Sequence, residues 1–399
     1  MKAPSPADRI RKVHHVLRQR AARGASYAER TEATAAATVH PDDVLARLDA
    51  VVKRMPANEV GDPAEFKDAL QKLVEHGEPA LRKLLQPATP TDSELSSDQL
   101  VSLEAVIIAD GSRPSFLLSE GEFALDHPFL GNWKGDMTNF RPALRKLAGC
   151  VGRIQLPDGG PTSYNGTGTL VDAANCLVLT NYHVVKHARN VSGVTMEGDA
   201  KQLKVKDDWV IDFIGETGSL QKNRWRVKEV RLPAGVGVSF EGVDAAVLHI
   251  EPFDTHESRL PEPAIVLSGD ANYATGAGTP TLATIGFPGQ PNIITPPGAT
   301  VDWNFVIKTL FNNLFGLKRV APGEFDKAIG SVADDHLGHV LSHDATTFGG
   351  ASGSLVFAWK DDKDPAFALH FAGATLAANY AVSLHKAKAA LQAVGVPIV

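Results

Sequence analysis

The sequence predicts a mainly β protein with helices at its front, and three observations lead there. The first 85 residues hold apolar positions at helical spacing. From about residue 146 the chain breaks into short β-rich runs punctuated by glycine and proline, and many short strands at such spacing imply an all-β sandwich or barrel. Between the two textures, PATPTDSELSSD at 87–98 is polar and carries proline and serine, as segments that separate domains do.

In chain order, Ile10, Val13 and Leu17 share one helical face. Val44, Leu45, Leu48, Val51, Val52 and Met55 form a second stripe, and Phe66, Ala69, Leu70, Leu73 and Val74 a third. The third has its own start signal, with Asp62 as N-cap, Pro63 at the first helical position and Glu65 placed to close a capping box. EPALRKLL suggests a fourth helix. Residues 1–86 therefore read as a small helical bundle, expected to fold independently and to dock on a protein partner or a second copy. Residues 87–145 read as a linker and connecting hairpin, with LVSLEAVII and SFLLSEGEF as strands around the turn signal DGSRP. Residues 146–399 hold the runs GTGTLV, CLVLTNYHVV, DAAVLHIE, TLATIGFPG, SLVFAW, ALHFAG and NYAVSL, closed by a helix over SLHKAKAALQAVG.

Composition bounds the function. The 399 residues exceed the usual size of one compact domain, and 43% hydrophobic content supplies a sizeable core. The 40 basic and 46 acidic residues give a net charge of −6 with no basic block, which argues against a nucleic-acid partner. The first twenty residues lack the apolar core of a secretory signal, and no run reaches membrane-spanning length. A cytoplasmic location without membrane association is expected. Cys150 and Cys176 make no disulfide framework and read as buried thiols.

Chemistry concentrates at three places. In TTFGGASGSLVF (346–357), Gly350 and Gly353 flank Ser352, which suits either a tight turn or a nucleophile whose backbone N–H groups face a developing oxyanion. His183 follows an apolar strand in CLVLTNYHVV, and Asp244 opens one in EGVDAAVLHIE. Singly, each reads as a strand-end or turn residue. Together they supply what a hydroxyl nucleophile requires: an imidazole base, and a carboxylate that fixes its tautomer and stabilises the imidazolium. HLGHVLSHD sets His336, His339 and His343 at the spacing of one helix face, but no cysteine or carboxylate pattern completes a metal site, so no metal is expected. The apolar, helix-spaced stretch at 301–316 is expected to pack on the barrel, with a substrate exosite as the alternative. NGTGTLV and GFPGQPN lack the lysine and hydroxyl of a phosphate loop, and no cofactor is implied.

TNYHVV, DAAVL and GGASGS, in that order, resemble the three signature segments of the chymotrypsin-fold serine proteases, especially the bacterial glutamyl-endopeptidase-like and high-temperature-requirement-like branches. The likeness covers about the C-terminal three-fifths of the chain. It implies a double antiparallel β-barrel of chymotrypsin type behind an N-terminal α-helical bundle, and a serine endopeptidase acting on protein substrates. Ser352 would be the nucleophile, His183 the general base and acid, Asp244 its orienting partner, and the N–H groups of Gly350 and Ser352 the oxyanion hole. Thr346, Thr347, His370 and Gly373 would line the pocket for the residue before the scissile bond. Thr347 and His370 match the glutamyl-specific branch, which implies a preference for Glu or Asp. Ala351 departs from the aspartate that many members pair with a freshly cut N-terminus, and Val184 from a disulfide cysteine of secreted relatives. A helical adaptor ahead of such a domain resembles effectors of bacterial defence systems, so the N-terminal domain would switch the protease. The rival reading is a protease-like binding or adaptor module with a closed cleft, against which the intact trio argues.

Overall fold

In the computed structural model, which describes residues 6–21, 41–54, 62–85, 95–109, 111–127, 130–262, 265–277, 281–291, 298–311, 313–359, 365–374 and 378–399, alternate side chains along the strands face different cores. The strands are β1 (Phe116–Leu117), β2 (Val151–Gln155), β3 (Gly166–Asp172), β4 (Leu177–Thr180), β5 (Met196–Gly198), β6 (Gln202–Val205), β7 (Val210–Asp212) and β8 (Arg224–Arg231). There follow β9 (Ala246–Pro252), β10 (Thr281–Gly286), β11 (Arg319–Lys327), β12 (Val340–His343), β13 (Leu355–Ala358), β14 (Ala366–Ala374) and β15 (Ala378–Ser383).

Pairing runs β8-β7-β2-β3-β4-β9, and β9 returns to β8, so six antiparallel strands close a first barrel with β5 and β6 appended. A second ring runs β11-β10-β13-β14-β15-β12, with β12 returning to β11 and β1 attached outside. Both closing pairs carry a register shift, between Val227 and Glu229 in one and between Phe325 and Lys327 in the other. Such bulges bend a strand and increase its twist, as closure requires. Val178 and Leu248 point into the first barrel, while Leu179 and Val247 on the same strands join a cluster shared with Ile285, Leu355 and Val382 of the second. The period of two in a pleated strand thus fills one barrel and glues it to the other.

The helices are α1 (Pro6–Ala21), α2 (Pro41–Arg54), α3 (Pro63–Leu84), α4 (Ser97–Ala109), α5 (Lys134–Asn139), α6 (Arg141–Cys150), α7 (Tyr182–Asn190), α8 (Ala271–Thr275), α9 (Trp303–Leu310) and α10 (Leu384–Gln392). The stripe of α1 is buried as expected, as are Phe66, Ala69, Leu70 and Leu73 of α3 and Val44 and Leu48 of α2, while Val74 and Leu45 are half-buried. The side chains of Val51 and Val52, Met55, and most of PATPTDSELSSD lie outside the described residues. Asp62 caps α3, accepting from the N–H groups of Ala64 and Glu65.

Three expectations need correction. EPALRKLL is no separate helix but the end of α3, which runs through Pro79 because Ala80, Leu81 and Leu84 still bury against the core. Among the described residues of 87–145 the expected hairpin is absent: LVSLEAVII lies in α4, and of SFLLSEGEF only Phe116–Leu117 forms a strand, paired with β11. A helix enclosed on every side carries apolar residues all round, so its 3.6 period disappears and the run reads as a strand. Nor does 301–316 pack simply on the barrel. Its helix α9 joins the helical core, where Trp303, Val306, Ile307, Leu310 and Phe311 meet residues of α1 to α4, together with Phe348. The bundle's core is therefore not closed within residues 6–109. Asp98, at the start of α4, fixes this junction by accepting from the backbone N–H groups of Thr300 and Val301, the Thr300 hydroxyl and the Trp303 indole N–H.

Candidate active site

β4 and β9 are antiparallel neighbours with Thr180 opposite Ala246, so the segments leaving one and entering the other meet at the same rim of the first barrel. His183 stands in the first turn of α7, just past β4, and Asp244 two residues before β9. His183 Nδ1 lies 2.8 Å from Asp244 Oδ2, and the His183 backbone N–H donates to Oδ1 at 3.0 Å. Oδ2 also accepts from the Ser239 N–H at 2.9 Å, and the Asp244 carbonyl accepts from the Asn181 side-chain amide at 2.7 Å. Asp244 is fully buried with donors on both oxygens, as a buried carboxylate must be. Its grip assigns the proton on Nδ1 and turns Nε2 outward as an acceptor.

Ser352 comes from the other barrel, in the loop before β13. Its carbonyl accepts from the Thr167 N–H at 2.8 Å, across the barrel interface. A Cβ on Gly166 would meet both Val184, the neighbour of His183, and the Ser352 carbonyl, so the two segments face each other across one residue without a side chain. The Ser352 hydroxyl donates to the Phe371 carbonyl at 3.2 Å, and no hydrogen bond joins it to His183 among the described residues. Apo sites commonly tighten this bond only when substrate arrives.

The glycines flanking the serine are required by space as well as by conformation. Gly350 and Gly353 both have φ +93°. A Cβ on Gly353 would collide with the Thr167 carbonyl and lie 2.6 Å from Thr180 Oγ1; one on Gly350 would collide with the Tyr164 hydroxyl. Among the described residues, the N–H groups of Gly350 and Ser352 have no acceptor, whereas that of Ala351 between them donates to Phe348 at 3.1 Å. Two unengaged donors beside a hydroxyl are what a developing oxyanion needs.

Thr347 donates its hydroxyl to Asn379 Oδ1, and Asn379 in turn donates to the Ala345 carbonyl at 2.7 Å. A Cβ on Gly373 would collide with Asn379 Oδ1 and lie 3.5 Å from Thr347 Oγ1, so Asn379 fills the space that the glycine leaves. His370 is buried on β14 with Nδ1 3.3 Å from His343 Nε2. Burial pushes His343 down to about 4, and burial together with the nearby His343 and His183 holds His370 well below the usual histidine range. Both rings are therefore neutral near pH 7. If His343 donates from Nε2, His370 is left with its proton on Nε2, the nitrogen without a partner among the described residues. Thr346 stands apart, its hydroxyl spent on the Arg113 carbonyl at 2.6 Å.

The histidines of HLGHVLSHD share no helix face, because Val340–His343 is a strand. His336 is exposed, His339 bonds the Gly242 carbonyl and His343 meets His370. Among the described residues, no three His, Cys, Asp or Glu side chains converge as metal ligands would, and no helix is long and apolar enough to cross a membrane. Sequence reasoning missed Asn181, Ser239 and Asn379, which act through a backbone N–H or a side-chain amide. Only Asn181, inside TNYHVV, had a signal in its neighbourhood.

Residues 166–363 match the trypsin-like peptidase domain family. A probable serine protease of Lysobacter enzymogenes is 47% identical over 336 residues, 84% of each chain. Among solved structures, the Rv3671c protease of M. tuberculosis in its inactive form is 16% identical, covering 64% of this chain and 93% of that one, with a TM-score of 0.35. The secreted serine protease VesC of Vibrio cholerae is 14% identical, covering 61% and 45%, with a TM-score of 0.40.

Proposed function

The chain belongs to the trypsin-like serine peptidases, and from that premise we propose that it is an endopeptidase whose Ser352, His183 and Asp244 cleave protein substrates through an acyl-enzyme. The observation that carries this reading is the His183–Asp244 pair, locked on one barrel rim and facing Ser352 from the other. Ser352 Oγ attacks the scissile carbonyl as its proton passes to His183 Nε2, and Asp244 stabilises the imidazolium. The oxyanion forms against the N–H groups of Gly350 and Ser352. His183 then returns the proton to the leaving amine, and water, activated by the same ring, releases the acyl group.

For the residue before the scissile bond we take Glu or Asp. With the proton of its neutral ring on Nε2, His370 would offer an N–H donor, and a buried carboxylate needs such donors. Thr347 contributes little as a donor, because its hydroxyl is already given to Asn379. A peptide library tests this with the full chain: cleavage after acidic residues is expected, and His370→Ala should flatten the preference. Selective cleavage after Arg, Lys or large aromatic residues, or an unchanged profile in His370→Ala, would refute it. The helical region is read as the part that switches this activity in a cytoplasmic effector, since its core takes in Phe348, four residues before the nucleophile.

A further inference from the structure

Every residue from Asp344 to Gly350, the run leading into Ser352, has an identifiable support, and at three of them that support comes from the N-terminal third of the chain. Asp344 is buried; its Oδ2 accepts from Arg113 Nη2 at 2.6 Å and its Oδ1 from the Glu324 N–H at 2.7 Å. Lys12 of α1 places its ammonium 3.2 Å from Asp326 and 3.9 Å from the same Asp344 oxygen. The Arg113 carbonyl holds the Thr346 hydroxyl, so one residue grips the run on both sides of Ala345. Ala345 and Thr347 are tied to Asn379. Phe348 sits edge-on to Phe311 at 5.1 Å inside the helical core, while the Gly349 and Gly350 carbonyls are held by Gly289 and Thr167.

We propose that Lys12 and Arg113 are positioning residues: by converging on Asp344 they hold the 344–350 run in its substrate-ready shape, so that docking of α1 sets the activity of the site. The inference rests on the peptidase reading above and names how the helical region acts on it. Three carboxylates, Glu324, Asp326 and Asp344, meet here with two cations, Lys12 and Arg113, and His15 lies alongside. Withdrawing α1 takes Lys12 away and leaves three acids, Glu324 and Asp344 buried and Asp326 half-buried, against one arginine. A buried charge deprived of its partner is strongly unfavourable, and the run carrying Asp344 relaxes toward water. A small displacement of this wall and of the Gly350 donor is costly, because a misplacement near 1 Å can lower turnover by about a hundredfold.

The test uses the full chain and two readouts, amide hydrogen exchange of a peptide covering residues 344–354 and kcat/KM on peptide substrates. Lys12→Met should speed exchange there by about tenfold and lower kcat/KM by about tenfold to a hundredfold, with Lys12→Arg restoring most of both. Asp344→Asn, which keeps the side chain's shape but not its charge, is the second variant and should give the same pattern. Lys12→Met or Asp344→Asn behaving as the unsubstituted protein would overturn the proposal, and so would Lys12→Arg as impaired as Lys12→Met. Should the unsubstituted chain hydrolyse nothing, the peptidase reading fails and the exchange readout alone decides.

Discussion

At the scale of single residues, burial has opposite outcomes at Asp244 and His343. Asp244 is enclosed among donors that suit its charge, whereas His343 is enclosed beside another neutral ring and near Lys12, and burial keeps it uncharged. Its folded value of about 4 lies below the 6.5 of an ordinary histidine, so the unfolded chain binds the proton first as pH falls. Stability that is complete above pH 6.5 is therefore lost on the way down to about pH 4, by about 3 kcal/mol from this ring. His370 adds in the same direction. Thermal unfolding at pH 7 and pH 4.5 checks this, since His343→Gln should remove much of the acid sensitivity; an unchanged difference would contradict the account. The three residues proposed as a triad could be picked out because each sits in a short stretch whose chemistry survives out of context. The partners that orient them were not, because a backbone N–H such as that of Ser239 leaves no trace in composition.

Among the elements, α4 and α9 were the hardest to read and matter most for what the front of the chain can do. Both lie inside the helical core, so α4 shows apolar residues on all sides, interrupted only by Ser102 and Glu104 between Leu100 and Ala109, and α9 shows its stripe with no hint of the surface it faces. α1 and α3 were plain because each has one wet face and, for α3, a cap. The shared core reverses the expectation of an independent bundle. Deleting residues 1–90 uncovers Val101, Ile108, Trp303, Ile307 and Phe348, at about 1.5–3 kcal/mol each, against a usual total stability of about 5–15 kcal/mol. The truncated chain is expected to be insoluble, or soluble with little turnover. Soluble residues 91–399 with full peptide hydrolysis would contradict this.

For the whole molecule, strand texture alone reached a sandwich or barrel, because strand order and closure depend on bulges and on pairings between distant segments; the double barrel that the structure has came from the resemblance of three short segments. What closure achieves is placement: His183 and Asp244 on one barrel, Ser352 and the N–H groups proposed as oxyanion donors on the other. Lys318 helps to hold that relation, fully buried and donating to the carbonyls of Ala148 and Phe213 at 2.8 and 2.7 Å. The central claim is that this placement makes Ser352 a nucleophile activated by His183. Mass spectrometry of the full chain after reaction with a fluorophosphonate tests it most directly. The account predicts one adduct per chain, on Ser352, with His183→Ala slowing its formation by about a thousandfold or more. No adduct, an adduct on another residue, or labelling of Ser352 that is indifferent to His183→Ala would contradict it.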